Sequence, residues 1–188
     1  ALLEGGYLHG DCITVTGKAI TAGRMSHFLV RTLSAGTYLP LGLPQGDFVL
    51  PDATPVRPLF ITAGSGITPV MSMLRTYVLR DNLPDVVHIH YAPHAYDVIF
   101  GNELQQIADR HPRYQLRPVH TRELGSAPSD PRNFCAAQVE ALCTAWRTRD
   151  VWECGPQSLL DDVEEPFAGA GRAPALHTER FRAALAVL

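Results

Sequence analysis

Two textures of hydrophobicity divide the chain. Residues 59–62 (LFIT) and 86–92 (VVHIHYA) are short, mostly apolar runs bounded by turn residues. Such runs read as strands buried on both faces, the kind that fill parallel sheets. Residues 115–120 and 150–154 read the same way, and 175–178 as a last short strand. Between them the apolar spacing changes to the helical period. Val70, Met73, Leu74, Tyr77 and Val78 share one helical face, and Leu104, Ile107 and Ala108 share another within 102–110. Cys135, Val139, Leu142, Cys143 and Trp146 mark a third helix, and Leu159, Leu160 and Val163 a fourth. Strands alternating with helices imply right-handed crossovers and a parallel sheet covered on both faces. The predicted class is α/β, a doubly wound parallel sheet.

The first fifty residues lack that rhythm. Ile13, Val15, Gly17 and Ala19 alternate through 11–20 (DCITVTGKAI), as in a half-buried antiparallel strand. Ser26 precedes an apolar stretch and reads as a helix N-cap. Residues 38–50 (YLPLGLPQGDFVL) are strand-like but broken at Pro40 and Pro44 and turned at Gly46-Asp47. Proline belongs at sheet edges and bends, so this segment suits a small antiparallel barrel. Residues 51–58 (PDATPVRP) hold three prolines and read as a linker. The predicted division is a partial antiparallel unit over 1–52 and a doubly wound domain over 53–188.

Composition narrows the function. A charge of -3 offers no basic face for nucleic acid, and no apolar run reaches the roughly 20 residues that span a bilayer. Residues 1–11 carry no basic start and no long apolar stretch, so a secretory leader is not expected. Cys12, Cys135, Cys143 and Cys154 form no C-x-x-C pair and no ferredoxin-type run. The expectation is four reduced thiols in a cytoplasmic protein, with no metal or iron–sulfur cluster in this chain. The histidines show no metal spacing; His88 and His90 read as packing, as do Trp146 and Trp152.

The loop after the first parallel strand is Ala63-Gly64-Ser65-Gly66-Ile67-Thr68-Pro69. A phosphate at a helix N-terminus meets unpaired N–H groups and the positive end of the helix dipole. Glycines allow close approach, and Pro69 at the first helical position loses no hydrogen bond. No third glycine follows, and a tight turn that holds no ligand stays open as the lesser alternative. Glu153-Cys154-Gly155-Pro156 closes the fourth strand, placing Cys154 at the carboxyl edge where ligands of open parallel sheets bind. Packing and chemistry are both open for that thiol. Thr121-Arg122 ends the third strand at the same edge. Arg122 suits a ribose 2′-phosphate or plain solvation, and His94 has the same two readings.

Taken in order, LFITAGSGITP (59–69), DVIFGNEL (97–104), WECGP (152–156) and HTERF (177–181) resemble the ferredoxin–NADP reductase family. The branch they resemble is the bacterial reductases that feed oxygenases, desaturases or ferredoxins. AGRMSHFL (22–29) and GLPQGDFVL (42–50) resemble the end of that family's flavin-binding barrel. The resemblance implies a β-barrel binding FAD and a second domain binding NADPH or NADH. It implies that Gly23, Arg24, Met25 and Ser26 hold the FAD pyrophosphate. Gly64, Ser65, Gly66, Ile67, Thr68 and Pro69 would hold that of the nicotinamide dinucleotide. Thr68 and Cys154, with Gly155 and Pro156, would border the nicotinamide where hydride passes. Thr121 and Arg122 would meet the adenosine end. The implied electron acceptor is a ferredoxin or 2Fe-2S partner, with an oxygenase or desaturase beyond it. The family's barrel has six strands and an Arg-x-Tyr-Ser flavin motif; this sequence has no such motif and matches only the last two strands. A non-catalytic dinucleotide-binding or interaction module therefore stays open as the alternative.

Overall fold

The computed structural model describes residues 8–9, 12–43, 45–51, 57–122, 134–169, 171 and 176–181. Five strands form one parallel sheet: β3 (Pro58–Ala63), β4 (Val86–Ala92), β5 (Tyr114–His120), β6 (Asp150–Cys154) and β7 (Leu176–Glu179). Their spatial order is β5-β4-β3-β6-β7. The order reverses between β3 and β6, so the topological switch point lies there.

Four helices cover the two faces: α2 (Ile67–Leu79), α3 (Gly101–Arg110), α4 (Ala136–Leu142) and α5 (Gln157–Gly169). Strand alternation sorts the core into two layers. Leu59 and Ile61 pack with Val139, Val163 and Phe167 on one side. Phe60 packs with Met71, Leu74, Leu104 and Trp152 on the other. Leu59, Phe60 and Ile61 are all fully buried, as a central strand with two covered faces requires.

The amino ends of the strands are tied by charge. Buried Arg149 donates from Nη2 to both Asp85 carboxylate oxygens at 3.0 Å and from Nη1 to the Asp85 carbonyl at 2.7 Å. Arg57 adds a 3.0 Å bond to the same carboxylate. Burial alone would raise the Asp85 pKa, but the hydrogen bonds and charges of Arg149 and Arg57 outweigh it and hold it low.

Three local expectations change. α2 begins at Ile67, so Pro69 is its third residue rather than its first; its missing N–H still falls among the donors a helix start leaves unpaired. The third predicted helix stops at Leu142, and Trp146 opens a separate 3-10 turn, Trp146–Thr148. Before the sheet, β1 (Leu8–His9) and β2 (Cys12–Ile13) form a two-residue antiparallel ladder. No strand runs through the described residues of 14–50. Instead there is a short helix α1 (Arg24–His27) continued by the π-helical stretch Phe28–Thr32. Most of the predicted linker, 52–56, lies outside the described residues.

Candidate functional site

The two glycine turns meet at the switch point. β3 runs into the 3-10 turn Gly64–Gly66 and then α2, while β6 runs into Gly155 and Pro156 ahead of α5. Gly64 has φ +53°, a left-handed conformation that strains an L side chain. Gly66 is fixed by contact instead. A Cβ there would lie 2.0 Å from the Cys154 carbonyl oxygen and 2.7 Å from the Gly155 nitrogen. A Cβ on Gly155 would in turn lie 2.9 Å from Leu159 Cδ2 and 3.2 Å from the Ala63 Cβ. The loops interlock through backbone, which only glycine permits. Above Gly64 the space is open, with nothing within 4 Å of where a Cβ would sit. The first turn of α2 carries the positive end of a 13-residue helix, and the Ile67 amide donates to the Gly64 and Ser65 carbonyls of the preceding 3-10 turn. An anion lying on this turn would meet the positive end of that helix.

Thr68 is the second residue of α2. It is 1% exposed, and its Oγ1 has no hydrogen-bond partner among the described residues. Leaving a buried hydroxyl unpaired costs about 1–3 kcal/mol, which a ligand at this edge would relieve. Cys154 is opposite Thr62 in register and fully buried. Burial, then the negative Glu179 and Glu153, push its thiol pKa well up. At neutral pH it is a compact, uncharged wall and not a thiolate nucleophile.

Thr121 and Arg122 sit at the same sheet edge but two strands from Gly64. The Thr121 amide donates to the Ala92 carbonyl and the Arg122 amide to the Pro93 carbonyl, both at 2.9 Å. This pins the tip of β5 to the loop that carries His94. Arg122 is exposed, and the His94 ring stacks on Tyr96 with centroids 4.9 Å apart. Between these strand tips and α5 lies a cavity of about 250 Å³, with Tyr91, Thr121, Pro156 and Asp162 on its walls.

Gly23, Arg24, Met25 and Ser26 form a tight turn of their own. Ser26 does not cap a helix. Its Oγ lies inside α1, donating to the Gly23 carbonyl at 3.1 Å and accepting from the Ile20 amide at 3.2 Å. Ala22 at φ +61° sets the turn, and a Cβ on Gly23 would lie 2.4 Å from Ser26 Oγ. Arg24 and Met25 point outward, exposed.

Two buried polar groups lie within the sheet, and one of them holds His88 and His90, packed inside as expected. Glu153 sits inside a buried strand and is fully covered. Thr178 Oγ1 donates to its Oε1 at 2.7 Å, while Oε2 has no partner among the described residues. Burial pushes its pKa up to about 8; Thr178 and Arg180 pull the other way, and Glu164 and Asp161 reinforce the rise. On the opposite face, Thr62 Oγ1 lies 2.8 Å from both His88 Nε2 and His90 Nδ1, and His88 Nδ1 lies 2.8 Å from the Tyr114 hydroxyl. A polar residue inside a buried strand is the only signal the sequence carried for either group. Among the described residues no cluster of side chains could hold a metal ion, and no helix is long and apolar enough to cross a membrane.

Comparison with known proteins fits this geometry. Residues 60–165 match the oxidoreductase NAD-binding domain family. The chain belongs to the ferredoxin–NADP reductase family. An NADPH oxidoreductase of Mycobacterium tuberculosis is 46% identical over 169 residues, covering 90% of this chain and 43% of that protein. The glycine betaine monooxygenase reductase subunit of Pseudomonas aeruginosa is 31% identical, over 84% of this chain and 44% of its own length. Among solved structures, the FAD/NAD-binding domain of a Vibrio cholerae nitric oxide dioxygenase superposes with a TM-score of 0.70 at 21% identity, over 85% of this chain and 65% of that one. The cytochrome P450 reductase of Amycolatopsis gives 0.59 at 26% identity, over 73% and 42%. The chain thus spans less than half the length of these two curated relatives, and the part they share includes the reductase family's parallel sheet.

Proposed function

We propose that this chain is the nicotinamide-binding part of a flavin reductase that takes hydride from NADPH or NADH and passes electrons singly to an iron–sulfur partner. The observation that carries the reading is the interlock of Gly66 with the Cys154 carbonyl at the switch point. It sets an open helix-start turn beside a buried thiol and a threonine hydroxyl with no partner among the described residues.

In this reading Gly64, Ser65, Gly66 and Ile67 form the turn on which the dinucleotide pyrophosphate lies, and Pro69 stiffens the first turn of α2. Thr68 Oγ1 gains a polar partner on the nicotinamide side. Cys154, backed by Gly155 and Pro156, walls the nicotinamide and excludes water without adding charge. The chemistry needs no acid or base from these residues; they supply orientation and a dry edge. Thr121 and Arg122 receive the adenosine end. Gly23, Arg24, Met25 and Ser26 offer a preformed turn, with an outward guanidinium at Arg24, that fits the pyrophosphate of FAD. When bound, FAD supplies a two-electron acceptor that can release electrons one at a time. A ferredoxin or 2Fe-2S protein then serves as acceptor, as a partner for an oxygenase or desaturase in the cytoplasm. The names of the 46% and 31% identical relatives support this assignment.

The test is spectroscopic. The full-length protein should show flavin absorption that NADPH or NADH bleaches without oxygen. A colourless protein that binds no added FAD would leave the non-catalytic dinucleotide module, the reading favoured by the lack of strands in described residues 14–50.

A further inference from the structure

We infer that Asp162 reads the ribose 2′ position of the bound nucleotide, accepting the hydroxyls of an unphosphorylated ribose and opposing a 2′-phosphate. The inference rests on the dinucleotide reading above. No acidic side chain ends β4 at Tyr91-Ala92, where a ribose diol is often gripped. The strand order supplies one from elsewhere. α5 follows β6 across the switch point, and its second turn brings Asp162 to the wall of the 250 Å³ cavity whose other walls include Ala63, Tyr91, Ala92 and Thr121. Those four residues are the carboxyl tips of β3 and β4 and the residue after β5, the edge on which the nucleotide would lie.

The acidic run of α5 is divided by helix phase. Asp161 accepts from Gln157 Nε2 at 2.6 Å and stands 3.9 Å from Arg180, which also pairs with Glu164. Asp162, about 100° further round the helix, makes no hydrogen bond or ion pair among the described residues. Its carboxylate can accept from both hydroxyls of a vicinal diol. Against the double charge of a phosphate monoester it is repulsive. Arg122, on the residue after Thr121, acts in the opposite sense because its guanidinium matches phosphate. Discrimination between the two dinucleotides is then a difference between these two side chains.

Calorimetric binding of ADP-ribose and 2′-phospho-ADP-ribose to the full-length protein tests this without turnover. Asp162→Asn should weaken ADP-ribose about tenfold and tighten 2′-phospho-ADP-ribose about threefold, reversing sign between the probes. Asp162→Glu should recover part of the ADP-ribose affinity. Equal shifts for both probes, or none in a variant with unchanged melting temperature, would overturn the role of Asp162 while leaving the dinucleotide site intact. If the unsubstituted protein binds neither probe, both readings fall together.

Discussion

The parallel sheet and the segment before it carry similar amounts of apolar sequence and use it in opposite ways. In the sheet, runs such as residues 59–61 are wholly buried. In described residues 13–49, Ile13, Val15, Ile20, Tyr38, Leu41 and Leu43 are all exposed, and Ser26 is the only buried residue. Phe48 and Leu50 join a core only where they pack against the α2 layer of the sheet domain. Apolar alternation forms a strand when a neighbouring strand takes up its N–H and C=O groups. β3 has β4 and β6 on either side; residues 14–50 have no such neighbour among the described residues.

Glycine substitutions break this comparison most sharply. Gly66→Ala puts a methyl into the Cys154 backbone, which cannot move without parting β3 from β6. We expect about 4 kcal/mol of lost stability or more in urea unfolding, and loss of nucleotide binding with it. Gly17→Ala meets nothing within 4 Å. It should stay within about 0.5 kcal/mol of the parent. Similar losses for both would mean that the two regions are equally packed.

Buried hydroxyls give the next contrast. Thr62→Val strips the shared partner from two buried histidine nitrogens. Burial, reinforced by His120, already drives the His90 pKa down to about 4, so the ring enters the fold neutral. The loss should be about 3 kcal/mol at pH 7. Ser26→Ala removes two bonds inside one loop and should cost about 1 kcal/mol. The His90 ring also sets a pH limit. Its folded pKa lies below the ordinary 6.5, so the stability it contributes is present above pH 6.5 and is lost as pH falls towards 4.

Glu153 titrates with the other sign. Its folded pKa, about 8, exceeds the ordinary 4.5. The folded state therefore holds a proton that the unfolded chain releases, and stability present below pH 4.5 is lost as pH rises to 8. Glu153→Gln keeps the acceptor for Thr178 and removes the titration. Between pH 6.5 and 8.5, above the range in which His90 acts, the unfolding free energy should decline in the parent by on the order of 2 kcal/mol and run nearly flat in the variant. Parallel curves would show that Glu153 is charged in the fold.

How legible each region was follows from the same physics. The bounds of β4 and β6 coincide with the predicted runs because both faces are covered and the runs end in turn residues. Both glycine turns were placed at one edge from sequence, since parallel strands put every carboxyl end together. Why Gly66 must be glycine was not legible, because the obstruction is the backbone of a residue 88 positions later. Asp162 was hidden for a related reason. Its place depends on helix phase and on the strand order that sets α5 beside the tip of β4. Ser26 suits a cap by residue type, but the positive φ of Ala22 sets the turn before it and Ser26 falls inside the helix.

The smallest effect concerns the corner where Arg122 meets the loop of His94. The guanidinium is exposed, so its pull on a 2′-phosphate is moderated by solvent and salt. We expect a lower Michaelis constant for NADPH than for NADH, and Arg122→Ala should narrow that gap by about fivefold through NADPH alone. The Arg122 backbone stays pinned by its amide bond to the Pro93 carbonyl, so the loop keeps its position when the side chain is cut. The narrowing should shrink further at high ionic strength, as a solvated charge pair demands. An unchanged ratio would move the 2′-phosphate contact away from Arg122 and leave His94, next to Pro93, as the other candidate side chain at that corner.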